Sequence, residues 1–297
     1  MQFADIIYEK DDGVAWLTIN RPEVYNAMRG RTTDEMAVAL QDSYDDDSIR
    51  VVVLSGSGPN AFSSGRDQGE DRSTEEYHGS AEVDFQSLIR DMPKPVIAMV
   101  DGFAIGAGNI LAYMCDFTIA SSRSKFGQTG PRVGSPASGH GVSYLAQIVG
   151  QKRAREIWMV CQQYNAQQAL DMGLVNSVVS AENLKNEVIR YCNLLKNNSP
   201  IILELQKISF NEVTQYMEDK TSIRVCKSCN DTVNVTNKYE KQVIIFSNLP
   251  IKISRLVYLR TVSKKWCKII NYILSVYRNI QYKISCQKIS KIERTLL

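Results

Sequence analysis

"PKPVIAMVDGFAIGAGNILAYMCDFTIA", residues Pro93–Ala120, runs from an apolar strand through a glycine turn into a short apolar helix and out into a second strand. "VIAMV" is apolar at every position, as in a strand buried on both faces. "PKP" before it ends whatever helix precedes, because the residue before a proline is pushed out of helical geometry. "GNILAYMC" reads as a short apolar helix and "DFTIASS" as a strand again. Strand, helix, strand is the unit of a parallel sheet, so this stretch assigns the chain to the α/β class.

The pattern extends both ways. "DIIYEK" and "GVAWLTIN" are β-rich runs around "DDG", a hairpin signal. Thr33–Tyr44 has helical spacing, with Met36, Ala39 and Leu40 on one face, and "IRVVVLSG" is another buried strand. "SLIRDM" reads as a helix. Further on, helices are expected over Gly141–Val149, Lys152–Val160, Ala166–Met172 and Glu182–Leu195. No fixed-period repeat is present.

Two turns stand out: "FSSGRDQ" (Phe62–Gln68) and "DGFAIGAGNI" (Asp101–Ile110). Each leads from a strand through glycine, which tolerates backbone conformations other residues resist, to an amide expected at or near a helix start, Arg66 or Ala107. Two such donors converging on one point would stabilise negative charge on a carbonyl oxygen. By spacing alone, both read as ordinary tight turns.

Composition narrows the class. The chain of 297 residues is 44% hydrophobic, ordinary for a globular protein, and no apolar run approaches the ~20 residues of a membrane span. The opening lacks a signal-peptide pattern, and seven scattered cysteines fit a reducing, cytoplasmic setting better than a disulfide scaffold. Charge is split: residues 1–210 carry 19 Lys+Arg against 26 Asp+Glu, whereas residues 211–297 carry 16 against 6. The last glycine is Gly173 and the last alanine Ala181. A boundary therefore falls near Asn211, between a 1–210 domain and a basic, Gly/Ala-free 211–297 tail.

"NRPEVYNAM", "AFSSGRDQ", the stretch quoted first, "FGQTGPRVGS" and "VGQKRAREIWMVCQQYNAQQALDMGLVNSVV" together resemble the crotonase (enoyl-CoA hydratase/isomerase) superfamily over about residues 1–210. Within it the chain is most similar to 1,4-dihydroxy-2-naphthoyl-CoA synthase and 2-ketocyclohexanecarboxyl-CoA hydrolase. The resemblance implies a spiral of ββα units, a substrate carried as a CoA thioester, no tightly bound cofactor and a homo-trimer or hexamer. It places the thioester oxygen between the N–H groups of Arg66 and Ala107. Ser64, Gly65, Asp67, Gln68, Tyr77, Phe103, Ala104, Ile105, Gly106, Thr129 and Ser135 would line the substrate. It implies chemistry through a CoA-thioester enolate, forming or cleaving an adjacent C–C bond.

Ile110 and Gly130 stand where a hydratase carries two glutamates, and neither can move a proton. In the synthases a bicarbonate ion replaces the missing carboxylate, and the resemblance implies Gln128, Thr129, Gly130 and Trp158 around it. Departures from the family pattern are also present. Ala137 replaces an aspartate, His140 a tyrosine, Arg66 a glycine and Tyr25 an arginine that would meet the CoA phosphates. His140 is a candidate for acid–base work, against the plainer reading of a solvated loop histidine. Three functions stay open: a C–C bond-forming or -cleaving acyl-CoA enzyme, an impaired CoA-ester-binding protein of the same fold, and an enoyl-CoA hydratase.

The tail has three readings: a replaced or out-of-frame stretch without an evolved role, a basic helical extension, or a metal site at Cys226 and Cys229. A single CxxC pair is a weak zinc signal, and no metal is expected. Nor is a nucleic-acid partner, since a basic tail without a recognised fold is weak evidence for one.

Overall fold

The expected N-terminal hairpin forms: β1 (Ile6–Asp11) pairs antiparallel with β2 (Val14–Ile19), Ile6 opposite Ile19 and Asp11 opposite Val14. Its two loop residues, Asp12 and Gly13, both have positive φ (46° and 74°), as a type I′ turn requires. This is a computed structural model describing residues 2–69, 87–134 and 140–212, His140 by its backbone alone. Tyr77, Ser135, Ala137, the His140 side chain, Cys226, Cys229 and the tail beyond residue 212 lie outside the described residues.

β2 continues into a parallel run of β3 (Val51–Gly56), β5 (Val96–Val100), β7 (Phe117–Ser121) and β10 (Ser177–Val179). The six-stranded order is β1-β2-β3-β5-β7-β10. Alternate residues of these strands feed two cores. Leu17, Val52, Leu54, Ala98 and Val100 pack with Met36, Ala39 and Leu40 of helix α1 (Gly30–Asp45). Val14, Val51, Val53, Ile97 and Ile119 pack on the other face against Leu184, Val188, Cys192 and Leu195 of a C-terminal helix, Leu184–Lys196. Burial on both faces explains why "VVVL" and "VIAMV" carry no polar alternation.

A second sheet, which the sequence pattern did not suggest, has the order β4-β6-β8-β9. It consists of β4 (Ala61–Ser63), β6 (Phe103–Ile105), β8 (Lys125–Gly127) and β9 (Tyr164–Asn165). Each long strand β3, β5 and β7 is thus followed by a short one that leaves for the second sheet. Helical residues 87–91 (α2), α3 (Ala107–Met114) and α4 (His140–Arg155) follow β4, β6 and β8 in turn. Three successive ββα units result. α4 is interrupted at Gly150 (φ 77°, ψ 157°), which divides it where the sequence indicated two helices. The second of those ends in a π-helical turn, Glu156–Val160, rather than in regular α-helix. The remaining helices are α5 (Ala166–Asp171), α6 (Leu184–Lys196) and α7 over residues 200–212. Lys207 in α7 ties that helix to α2 and to the residue before β7 by bonding Ile89 O (2.9 Å) and Asp116 Oδ2 (2.7 Å). No helix among the described residues is long and apolar enough to cross a membrane.

Candidate active site

The second sheet brings the two glycine turns together. β4 and β6 run parallel, Ala61 opposite Phe103 and Ser63 opposite Ala104, so the segments leaving their C-terminal ends are neighbours. A Cβ on Gly65 would lie 2.8 Å from Ile105 O and 3.0 Å from the Ala107 amide nitrogen. Gly65 has φ 100°, a conformation that side chains resist, so both space and backbone demand glycine here.

The first turn is zipped onto residues 25–28. Ser64 N–H donates to Tyr25 O (2.9 Å), Met28 N–H to Gly65 O (2.7 Å) and Asp67 N–H to Met28 O (2.8 Å). Arg66 therefore forms a single parallel bridge with Met28 and does not start a helix, which corrects the sequence expectation. The reason is that Met28 offers both its N–H and its carbonyl to the residues on either side of Arg66. In a parallel bridge the flanking residues make the bonds, so the central residue's own N–H turns away from its partner. Arg66 N–H thus points away from Met28, while Ile105–Ala107 flanks Gly65 at contact distance.

Behind this zipper stands Asn26, fully buried and in the left-handed region (φ 53°). Its Nδ2 donates to Ser57 O (2.9 Å) and Ala61 O (2.7 Å), and its Oδ1 accepts from Arg21 N–H (2.9 Å). Sequence reasoning did not select Asn26; an asparagine soon after "RP" is the signal that marks such a turn.

The second turn matches the expectation. Gly106 (φ 59°, ψ −125°) caps α3, and Ala107 carries the helix's first N–H, one of the four a helix cannot satisfy from within. Among the described residues no carbonyl takes it. Gly106 N–H donates to Gly127 O (3.0 Å), and Gln128 Nε2 donates to Gly106 O (3.2 Å), fixing the turn from β8. Asp101, which opens the turn, accepts from Ser121 Oγ (2.7 Å) and Arg123 Nε (2.7 Å), with a second contact from Arg123 Nη2. Burial pushes the Asp101 pKa up, but these donors outweigh it and hold the carboxyl below its usual range.

The other candidate residues fall around this centre. Ala104 and Ile105 are buried in β6, and Phe103 at its start meets Tyr25 edge-on with ring centroids 6.4 Å apart. Ser64 Oγ donates weakly to Val24 O (3.4 Å), and Gln68 Nε2 folds back onto Arg66 O (3.1 Å). The Asp67 carboxylate is engaged within the protein, by Arg21 Nη1 (3.0 Å) and Gly69 N–H (2.9 Å). Thr129 Oγ1 would lie 3.8 Å from a Cβ on Gly106.

Gln128 is buried, and Gly130 opens a 3-10 turn, Gly130–Arg132, that packs against the π-turn bearing Trp158. The Trp158 indole nitrogen is buried and finds no partner among the described residues, and neither end of the buried Asn109 amide in α3 finds one. Ile110 is partly buried and packs toward α4: a Cβ on Gly141 would lie 3.1 Å from its Cδ1. Among the described residues, no cluster of His, Cys, Asp or Glu is placed to hold a metal.

A cavity of about 500 Å³ lies elsewhere, lined by Tyr113, Asp116, Tyr144, Leu174, Lys207 and Phe210 among others. Its walls include neither turn.

Three ββα units with two glycine turns meeting at the C-terminal ends of β4 and β6 define a crotonase-type architecture. The enoyl-CoA hydratase/isomerase family model matches residues 9–247, past the compositional change at residue 211. Solved structures agree. An enoyl-CoA hydratase/isomerase from Xanthobacter autotrophicus Py2 is 30% identical over 76% of this chain and 85% of its own, with a TM-score of 0.67. A monofunctional enoyl-CoA isomerase from M. smegmatis is 30% identical over 71% and 93%, TM-score 0.62. An enoyl-CoA hydratase from Mycobacterium avium subsp. paratuberculosis K-10 is 26% identical over 75% and 87%, TM-score 0.66. The chain belongs to the enoyl-CoA hydratase/isomerase family of the crotonase superfamily, a family of acyl-CoA enzymes.

Proposed function

We propose that this protein acts on a CoA thioester by stabilising its enolate between the Arg66 and Ala107 amides, and that it forms or cleaves the adjacent C–C bond. The observation that carries this reading is the 3.0 Å approach between a Cβ on Gly65 and the Ala107 nitrogen, with Arg66 N–H turned away from Met28. Each amide held before the charge develops is worth about 3 kcal/mol to the transition state, because it needs no reorganisation as the reaction proceeds. Loss of an α-proton gives the enolate. Its carbon then attacks the carboxyl carbon of the same acyl chain, closing a ring, and the tetrahedral intermediate expels hydroxide, which leaves as water with the abstracted proton, to give a ring ketone. In the opposite direction water adds to a ring ketone, the C–C bond breaks, and the electron pair returns to the thioester enolate. One stabilised intermediate serves both directions.

Hydration is disfavoured by side chains. Ile110 and Gly130 occupy the positions where paired carboxylates would handle water and a proton. The residues present fit a bicarbonate ion instead. Trp158 offers a buried indole N–H without an acceptor among the described residues, and Gln128 has spent one N–H on Gly106 O, leaving the second. Bicarbonate held there would supply the proton acceptor that the side chains lack. Thr129 and Gly130 would border it from the same turn, and Phe103–Ala107 with Ser64–Gln68 would enclose the acyl thioester. Ala137, at the family's aspartate position, supports the second reading, a CoA-ester-binding protein with impaired turnover.

The test uses acetoacetyl-CoA, whose enolate absorbs in the near ultraviolet. A bound-enolate band at neutral pH is expected, with no loss of crotonyl-CoA absorbance. Binding without the band would move the protein to the binding reading, and consumption of crotonyl-CoA would restore the hydratase.

A further inference from the structure

We infer that Arg21 is a positioning residue, a latch that closes on Asp67 and holds the Arg66 amide in register with Ala107. The inference rests on the enolate reading above for its catalytic consequence, but not for its structural content.

The Met28–Arg66 bridge is isolated, a single residue pair without a ladder to either side. Such a bridge needs an external brace. Arg21 Nη1 donates both to Ala27 O (2.6 Å), the residue before Met28, and to Asp67 Oδ2 (3.0 Å), the residue after Arg66. One guanidinium nitrogen therefore spans the bridge and grips both of its strands. The second Asp67 oxygen accepts Gly69 N–H (2.9 Å), which fixes the turn that follows.

The latch is itself anchored. Arg21 Nε lies 3.9 Å from Asp5 Oδ2, and buried Asp5 receives two bonds from Arg29 (2.8 and 2.7 Å) and one from Thr32 Oγ1 (2.7 Å). Asp67, Arg21, Asp5 and Arg29 form a row of alternating charge, one end of which is the site turn. The Arg21 side chain is 11% exposed and that of Asp67 21%, so the pair is only weakly screened. A planar guanidinium can serve Ala27, Asp67 and Asp5 from fixed directions at once, whereas a lysine ammonium is a single point charge on a flexible stem.

The experiment compares full-length wild type with Arg21→Ala, Arg21→Lys and Asp67→Asn by amide hydrogen exchange, free-CoA affinity and the acetoacetyl-CoA enolate band. Arg21→Ala and Asp67→Asn are each expected to speed exchange at residues 65–68 about tenfold relative to β2, the mark of a local opening. For Arg21→Ala the enolate band should fall about tenfold while CoA affinity stays within about twofold, a loss confined to the intermediate. Arg21→Lys should fall between. Exchange at 65–68 that stays at the wild-type rate, or rises only in step with β1–β2, overturns the inference. Should Arg21→Ala fail to fold, Asp67→Asn, which keeps the size of the side chain and removes its charge, decides it. Wild type that binds acetoacetyl-CoA without an enolate band would defeat the enolate reading, and exchange at 65–68 would still judge the latch.

Discussion

A Cβ added to Gly65 would sit 3.0 Å from the amide nitrogen of Ala107, a closer approach than nine in ten real side chains make. The same atom would lie 2.8 Å from Ile105 O, and Gly65 has φ 100°. Gly65→Ala is therefore expected to lose about 1–3 kcal/mol through backbone strain alone. It should also push the two turns apart, and the acetoacetyl-CoA enolate signal should drop about a hundredfold, as when an oxyanion-hole donor is removed. Urea unfolding and the near-ultraviolet titration check this. An alanine variant with unchanged enolate yield would separate the two turns functionally.

Asn26 holds the floor of the first turn. Its removal leaves Ala61 O without that partner in the core, and Ser57 O and Arg21 N–H without theirs at half-buried positions. Asn26→Ala is expected to cost about 3 kcal/mol, since buried groups deprived of a partner bear their full desolvation penalty. The midpoint of urea unfolding should fall with little change in slope. A loss below about 1 kcal/mol would mean that water replaces the side chain.

The sequence disclosed the first sheet and the two turns, but not why the turns meet. Strands β3 and β5 are apolar runs of five or six residues, long enough to be read by pattern. β4, β6 and β8 have three residues each and carry no legible period. Yet it is the β4–β6 pairing that seats Gly65 beside Ala107. Arg66 illustrates the same limit. Glycine before a polar residue suggests a helix start, and only the distant "NAM" segment turns it into a bridge. Only the resemblance set Trp158 beside Gln128 and Gly130; the 3-10 turn and the π-turn that pack together there carry no sequence signature of their own.

The Asp5 network gives a pH dependence of known sign. Burial raises the Asp5 pKa, but bonds from Arg29 and Thr32 and the charges of Arg29 and Arg21 outweigh it, so the folded value lies below 3.8. A group depressed in the folded state binds more protons when unfolded, so its contribution is complete above the unfolded value and is lost as pH falls through the folded one. Stability should decline as pH drops below 3.8, and Asp5→Asn should make that decline shallower while lowering stability at pH 7. Urea midpoints measured between pH 7 and pH 2.5 test this. A variant with the wild-type acid slope would remove Asp5 from the network.

Trp158→Phe isolates the indole N–H from the ring that carries it. The nitrogen is buried and has no acceptor among the described residues, an arrangement that costs about 1–3 kcal/mol unless a ligand supplies the acceptor. Phenylalanine keeps an aromatic ring in the core and deletes the donor, while the smaller ring gives back part of the gain as lost packing. In bicarbonate-free buffer the two effects oppose, so the melting temperature should change little. Added bicarbonate should separate the proteins. A ligand that binds only the folded wild type stabilises it by about 1.4 kcal/mol at ten times its dissociation constant. Trp158→Phe should gain far less, and its acetoacetyl-CoA enolate yield should cease to depend on bicarbonate. Equal stabilisation of both proteins would place the ion away from Trp158. No response in either would leave the indole N–H as a cost of the fold and require another proton acceptor for the reaction.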